Sequence, residues 1–176
     1  MKMAINSYQI RGLALRQLTA QDKAEMMALH DRVIAGLPDP SWFFPSEEWE
    51  FDAWLEGNEA FGYFDKGTLA GFGVMTPQDA RGVHSYARVL GEKPECTFDF
   101  HDVLVLPAYR GRGVHTMFLK LFEEIARAMD GEAIYSTVDP MNSASWHNFE
   151  KAGYQQIAEK PAYDGRMRRY YRLSLR

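Results

Sequence analysis

The segment Val103-Leu-Val-Leu-Pro-Ala-Tyr-Arg-Gly-Arg-Gly-Val-His-Thr116 constrains this chain more than any other. An apolar strand ends at Pro107, a tight turn with two glycines follows, and a helix opens at once, expected over Gly111–Met129. Val114, Met117, Phe118, Leu121, Ile125 and Ala128 trace its apolar stripe, and Asp130-Gly131 stops it. A strand that feeds a helix this way calls for a layer of sheet against a layer of helix. The first amides of a helix have no carbonyl one turn back, and the helix dipole makes that end partly positive. Gly111 and Gly113 carry no side chain, so a ligand can come close to the backbone, and Arg110 and Arg112 add charge. The stretch therefore reads as a diphosphate site built mostly from main chain. Glycines that serve the turn alone are the other reading. The chain lacks Gly-Lys-Ser/Thr, so it has no P-loop, and it lacks Gly-x-Gly-x-x-Gly, the dinucleotide fingerprint.

The rest of the chain alternates strand and helix signals. Ile10–Leu18 alternates apolar and polar residues as a first strand. Thr19, with Asp22 at the third helical position, begins a helix that ends before Pro38. An aromatic loop, Trp42-Phe43-Phe44, leads to a second helix from Ser46, with Trp49, Ala53 and Trp54 on its buried side. Strands at Ala60–Phe64 and Leu69–Met75 flank an Asp65-Lys66-Gly67 turn. A short helix is expected within Ala80–Leu90, a strand over Thr97–Leu106, another over Ala133–Val138 and a helix over Asn142–Ala152. An antiparallel pair, Tyr154–Lys160 and Met167–Leu175, closes the chain. The result is one mixed α/β domain over residues 1–176.

Composition narrows the functions. The 176 residues are 46% hydrophobic, without a run long enough to span a membrane or an apolar leader core, so a cytoplasmic protein is expected. Cys96 is the only cysteine, which rules out an intrachain disulfide, and no Cys/His cluster has metal-site spacing. A net charge of −4 argues against a nucleic-acid partner. Acidic residues crowd 47–59, and Arg166, Arg168, Arg169, Arg172 and Arg176 crowd the end of the chain. Those arginines form either a solvated strand face or a basic patch.

Val105-Leu-Pro-Ala-Tyr-Arg-Gly-Arg-Gly-Val-His115 resembles the Val-x-Pro-x-Tyr-Arg-Gly-x-Gly-Ile-Gly/Ala motif of the GNAT superfamily of acyl-CoA-dependent N-acetyltransferases. Asn142-Ser-Ala-Ser-Trp-His-Asn-Phe149-Glu-Lys-Ala-Gly153-Tyr154 is similar to that family's Asn-x-x-Ala-x-x-Leu-Tyr-Glu-Lys-x-Gly-Phe. The resemblance implies a mixed, mostly antiparallel central sheet, splayed at its middle strands and flanked by helices. It implies acetyl-CoA as cosubstrate and an amine of a small molecule or a protein as acceptor; a homodimer is left open. By the same likeness Val103, Leu104 and Val105 would pair with the pantetheine arm, with the Val105 N–H near the thioester carbonyl. Arg110, Gly111, Arg112, Gly113, Val114, His115 and Thr116 would hold the pyrophosphate. Asn142 would bond the cofactor arm, cap its own helix, or do both.

Direct transfer needs an oxyanion donor and a way to remove the amine's proton. The sequence departs from the family here: Phe149 stands where a tyrosine acid is common, Thr137 where some members carry a glutamate, and His115 where a small residue is usual. Candidate bases lie on the strand 97–106. Strict alternation puts Asp99 and His101 on one face and Asp102 on the other, and His101 ranks first by its ordinary pKa. Tyr135, Tyr154 and Tyr163 are candidate acids, and a packed aromatic explains each as well. Trp42, Phe43 and Phe44 would wall the acceptor site or plug the core, and His84, Tyr86 and Arg88 could form a lid. The main expectation is an N-acetyltransferase; the alternative is a catalytically weak coenzyme A-binding sensor.

Overall fold

The computed structural model describes residues 5–78, 85–162 and 164–176. Its strands are β1 (Ala14–Gln17), β2 (Ala60–Asp65), β3 (Thr68–Pro77), β4 (Thr97–Val105), β5 (Ala133–Val138), β6 (Gln155–Ala162) and β7 (Arg166–Ser174). Its helices are α1 (Lys23–Ala35), α2 (Glu48–Glu56), α3 (Tyr86–Val89), α4 (Val114–Ala128) and α5 (Ser143–Lys151). The strands form one sheet in the order β1-β2-β3-β4-β5-β7-β6. The pairs β1–β2, β2–β3, β5–β7 and β6–β7 are antiparallel, whereas β4–β5 is parallel and matches only Thr97–Asp99 with Ala133–Tyr135. This is the mixed, mostly antiparallel sheet with flanking helices that the family resemblance implied. The chain divides into two compact units, residues 1–74 with 102–118 and residues 75–101 with 119–176.

In the first unit α1 and α2 cover β2 and β3. Leu18, Met26, Leu29, Val33, Phe51, Trp54, Phe72 and Leu104 are buried together, and each large side chain contributes about 1.5–3 kcal/mol by leaving water. The Thr19–Asp22 capping box is present, but it closes a short 3-10 turn (Ala20–Asp22) before α1 begins. Glu25 Oε1 on α1 accepts the Leu69 N–H at 2.7 Å, which ties the helix to β3. The helix expected from Ser46 begins at Glu48, because Glu47 and Glu50 form a capping box there. Its buried side is Phe51, Trp54 and Leu55, while Trp49 is 49% exposed, contrary to expectation. Lys23 on α1 neutralises part of the acidic run through Glu48 at 2.9 Å and Asp52 at 2.7 Å.

In the second unit Phe100 meets Phe122 and Phe149 edge-on, and Phe149 meets Tyr154 and Tyr171. The buried side of α4 is wider than the sequence stripe. Leu119, Phe122 and Ala126 are buried, Met117 and Ile125 only partly so, and Ala128 is exposed. The C-terminal arginines are paired one by one: Arg166 with Asp164, Arg168 with Asp139, Arg169 with Glu159, Arg172 with Glu92 and Arg176 with Glu132. That is the neutralised strand face, not a free basic patch. Tyr86 is buried in α3 among Ala133, Tyr135 and Tyr170, which removes it from any lid. His84 and Tyr163 lie outside the described residues.

Candidate active site

The glycine segment sits wholly in the first unit. The Leu106 N–H bonds the Ala70 carbonyl at 2.9 Å, and a Cβ built on Gly71 would stand 3.3 Å from the Val105 Cα. Val105 therefore faces β3 at a position where antiparallel strands exchange no hydrogen bonds, and its own N–H and C=O turn to the other edge of β4. Pro107–Tyr109 make a single 3-10 turn, with Pro107 at its start where a missing N–H does no harm. Gly111 and Gly113 then take φ of 74° and 83°, a region in which an L side chain is strained. A Cβ at either would meet nothing within 4 Å, so open space lies beside both.

Helix α4 starts at Val114, three residues later than the sequence pattern suggests, because the two left-handed glycines belong to the turn. The Met117 N–H bonds the Gly113 carbonyl at 2.9 Å. The amides of Val114, His115 and Thr116 precede that bond and belong to the turn that helix geometry leaves open. Val114 is buried and anchors the helix start, and Arg110 and Arg112 are exposed. The Arg110 Nε donates to the Val105 carbonyl at 3.3 Å. The Arg112 guanidinium lies 5.1 Å from the Tyr109 ring, and the Tyr109 hydroxyl donates to Asp65 at 3.0 Å. Burial pulls His115 down to about 4, so it is neutral at pH 7. Amides, two guanidinium groups and open space suit a dianionic diphosphate.

The candidate bases differ sharply in their surroundings. Asp99 is fully buried and accepts the Tyr86 N–H at 3.0 Å; burial drives its pKa well above the carboxylate range, which suits a neutral acid more than a base. His101 is half-buried, with Nε2 2.7 Å from the Thr76 hydroxyl and its ring 5.9 Å from Tyr86. Asp99 and His101 share a neighbour, as alternation suggested. Asp102 belongs to the first unit, where Ser46 Oγ donates to its Oδ2 at 3.1 Å. Burial lifts Asp102 to about 7, Ser46 opposes that shift, and Glu50 adds to it.

The candidate acids are less suited. The Tyr135 hydroxyl bonds Glu92 and is pushed up to about 12, chiefly by burial. The Tyr154 hydroxyl is buried with no hydrogen-bond partner among the described residues and is raised further. Phe149, in the tyrosine position, is core. Asn142 caps α5 by accepting the Ser145 N–H at 3.3 Å. In the aromatic loop Trp42 and Phe43 are half-buried and Phe44 is exposed. Phe43 meets the His30 ring edge-on at 5.8 Å and packs on the core, so it serves the plugging role. Ser46 and His30 were not legible as site residues, because their partners lie on other elements. Among the described residues no group of three His, Cys, Asp or Glu could hold a metal, and no helix is long and apolar enough to cross a membrane.

Comparison with known proteins agrees with this geometry. Residues 28–154 match the sequence model of the acetyltransferase (GNAT) family. The N-alpha-acetyltransferase RimI of Mycobacterium tuberculosis (strain ATCC 25618 / H37Rv) is 27% identical over 157 residues, which cover 89% of this chain and 83% of RimI. Among solved structures, yncA from Salmonella typhimurium with its cofactor acetyl-CoA superposes with a TM-score of 0.70 at 17% identity, covering 94% of this chain and 95% of that one. The ribosomal-protein-S18-alanine N-acetyltransferase from Escherichia coli gives a TM-score of 0.68 at 16% identity, covering 93% and 94%. At these identities the two structures establish a shared fold.

Proposed function

This chain belongs to the acetyltransferase (GNAT) family and is an acetyl-CoA-dependent N-acetyltransferase, and from that premise we propose that its acceptor is the α-amino group of a polypeptide. The observation that carries the cosubstrate assignment is the open turn at Gly111 and Gly113 leading into α4. Arg110–Thr116 hold the diphosphate, and the outward edge of β4 at Val103 and Val105 holds the pantetheine arm by main-chain bonds, while the Leu104 carbonyl faces β3. When bound, acetyl-CoA supplies the acetyl group as a thioester. The Val105 N–H stabilises the negative charge that develops on the acyl oxygen.

Asp102 removes the proton from the incoming amine. Of the three candidates it is the carboxylate whose proton affinity lies near neutral pH, where a base works best. His101 is engaged by the Thr76 hydroxyl, and Asp99, buried and bonded to the Tyr86 N–H, is structural. Phe44, with Trp42 beside it, forms the exposed aromatic edge of the acceptor side. The likeness to the RimI protein supports a polypeptide α-amine over a small amine. We place the reaction in the cytoplasm.

A thiol-release assay tests the reading. Acetyl-CoA with a panel of short peptides bearing free N-termini should release coenzyme A, and mass spectrometry should find the acetyl group on the α-amine. Turnover with small amines alone would overturn the acceptor assignment. The presence of Phe149 where a tyrosine acid is common favours a second reading, a coenzyme A-binding sensor. Saturable binding of acetyl-CoA with no turnover on any amine is its signature.

A further inference from the structure

Ser46 joins two elements that the sequence keeps far apart. Its N–H donates to His30 Nε2 on α1 at 3.1 Å, and its hydroxyl donates to Asp102 Oδ2 on β4 at 3.1 Å. A ring nitrogen that accepts carries no proton, so His30 holds its hydrogen on Nδ1, which points at Asp31 Oδ1 at 2.9 Å. His30 is itself buried between Phe43 and Phe51 at ring distances of 5.8 and 5.2 Å. The three residues, with the main-chain N–H of Ser46 as one link and its hydroxyl as the other, form a run from α1, through the end of the aromatic loop, to the strand that bears the proposed base.

We infer that Ser46 is a positioning residue: its amide on His30 and its hydroxyl on Asp102 clamp the aromatic loop to β4 and hold the Asp102 carboxylate ready to accept a proton. The catalytic consequence rests on the proposed role of Asp102; the clamp itself does not. A hydroxyl that donates to a carboxylate favours its charged form, so loss of Ser46 Oγ leaves Asp102 harder to ionise. The other groups about Asp102 cannot replace it. Glu50 on α2 is itself acidic and accepts the Glu47 N–H. His30 and Asp31 on α1 are bonded to each other. On β3, Phe72 and Val74 carry no charge, and the chain neighbour His101 is engaged by Thr76.

The test is a carbon-13 NMR titration of the carboxyl of Asp102 in the full chain, run beside the pH dependence of kcat/KM. Wild type should titrate near 7, and Ser46→Ala about one pH unit higher, the size expected for one hydrogen bond to a charged group. Ser46→Thr keeps a hydroxyl and should restore the wild-type midpoint. If Ser46→Ala does not fold, Ser46→Cys is read in its place, since a thiol is a weak donor. An unmoved midpoint in the folded variant overturns the inference. In kinetics the half-maximal pH should rise with the NMR midpoint while the KM for acetyl-CoA stays put. A moved NMR midpoint with an unmoved rate profile sustains the clamp and removes Asp102 as the base, which separates the two failures.

Discussion

Asp102 and Asp22 are both carboxylates beside hydrogen-bond donors, yet their surroundings push them in opposite directions. Asp102 is lifted to about 7 by burial, so as a base it is active above that pH and its rate falls as pH drops through it. Asp102→Asn should lower kcat/KM by about 100-fold or more, remove the acidic limb of the rate profile, and leave the KM for acetyl-CoA unchanged. Equal loss at every pH would point to misfolding instead. Asp22 is drawn down to about 2, first by the paired hydrogen bonds from Arg16 at 2.8 and 2.7 Å. Its folded pKa lies below the unfolded value, so its stabilisation is complete above pH 4 and disappears between about 4 and 2. Arg16 is half-exposed, which screens the pair; Asp22→Asn should cost about 1 kcal/mol in urea melts at pH 7 and flatten the acid slope. The turn made by Gly111 and Gly113 was legible, because their conformational effect is local. The proposed choice of Asp102 over His101 is not legible in the sequence, because its partner Ser46 lies 56 residues away and the burial is tertiary.

Elements show the same divide between local and distant causes. The β2–β3 hairpin was legible because Lys66 and Gly67 take φ of 48° and 92°, the left-handed pair that an Asp-Lys-Gly turn announces. The start of α4 was misjudged by three residues because the glycines that resemble its first turn are the turn before it. Its apolar stripe was drawn too narrow because Phe122 is buried against Phe100, a strand residue that no helical period reveals. The pairing of β3 with β4 carries an irregularity that simple alternation does not show. Gln78 bonds Thr97 and Ala70 bonds Leu106, eight steps on β3 against nine on β4, so one extra residue on β4 shifts its side-chain pattern. Two glycine substitutions separate the jobs of this region. Gly113→Ala meets open space but is forced into a left-handed φ of 83°, so it should lose about 1 kcal/mol and weaken coenzyme A binding in a calorimetric titration. Gly71→Ala places a Cβ 2.9 Å from the Leu104 carbonyl, which is backbone and cannot swing aside. It should cost about 1–3 kcal/mol in melts, with the affinity falling only as the strand that carries Val105 is displaced.

At the scale of the whole molecule, the chain passes between its two compact units at 74/75, 101/102 and 118/119. Each passage falls inside a regular element, in β3, in β4 and in α4, and none falls in a linker rich in glycine, proline or polar residues. Domain boundaries ordinarily lie in such linkers, where few bonds must break for one part to open without the other. Opening either unit here would unravel strands or a helix shared with its neighbour. We therefore propose that residues 1–176 unfold as one domain, and calorimetry should show a single transition whose calorimetric and van't Hoff enthalpies agree. Coenzyme A at 100 times its dissociation constant should add about 2.7 kcal/mol and raise Tm by about 5–10 °C, since only the folded turn assembles its amides. Two separated transitions would count against one domain. A single transition that ignores coenzyme A would count against the glycine turn as its site, whereas loss of the shift in Gly113→Ala alone would locate the binding there.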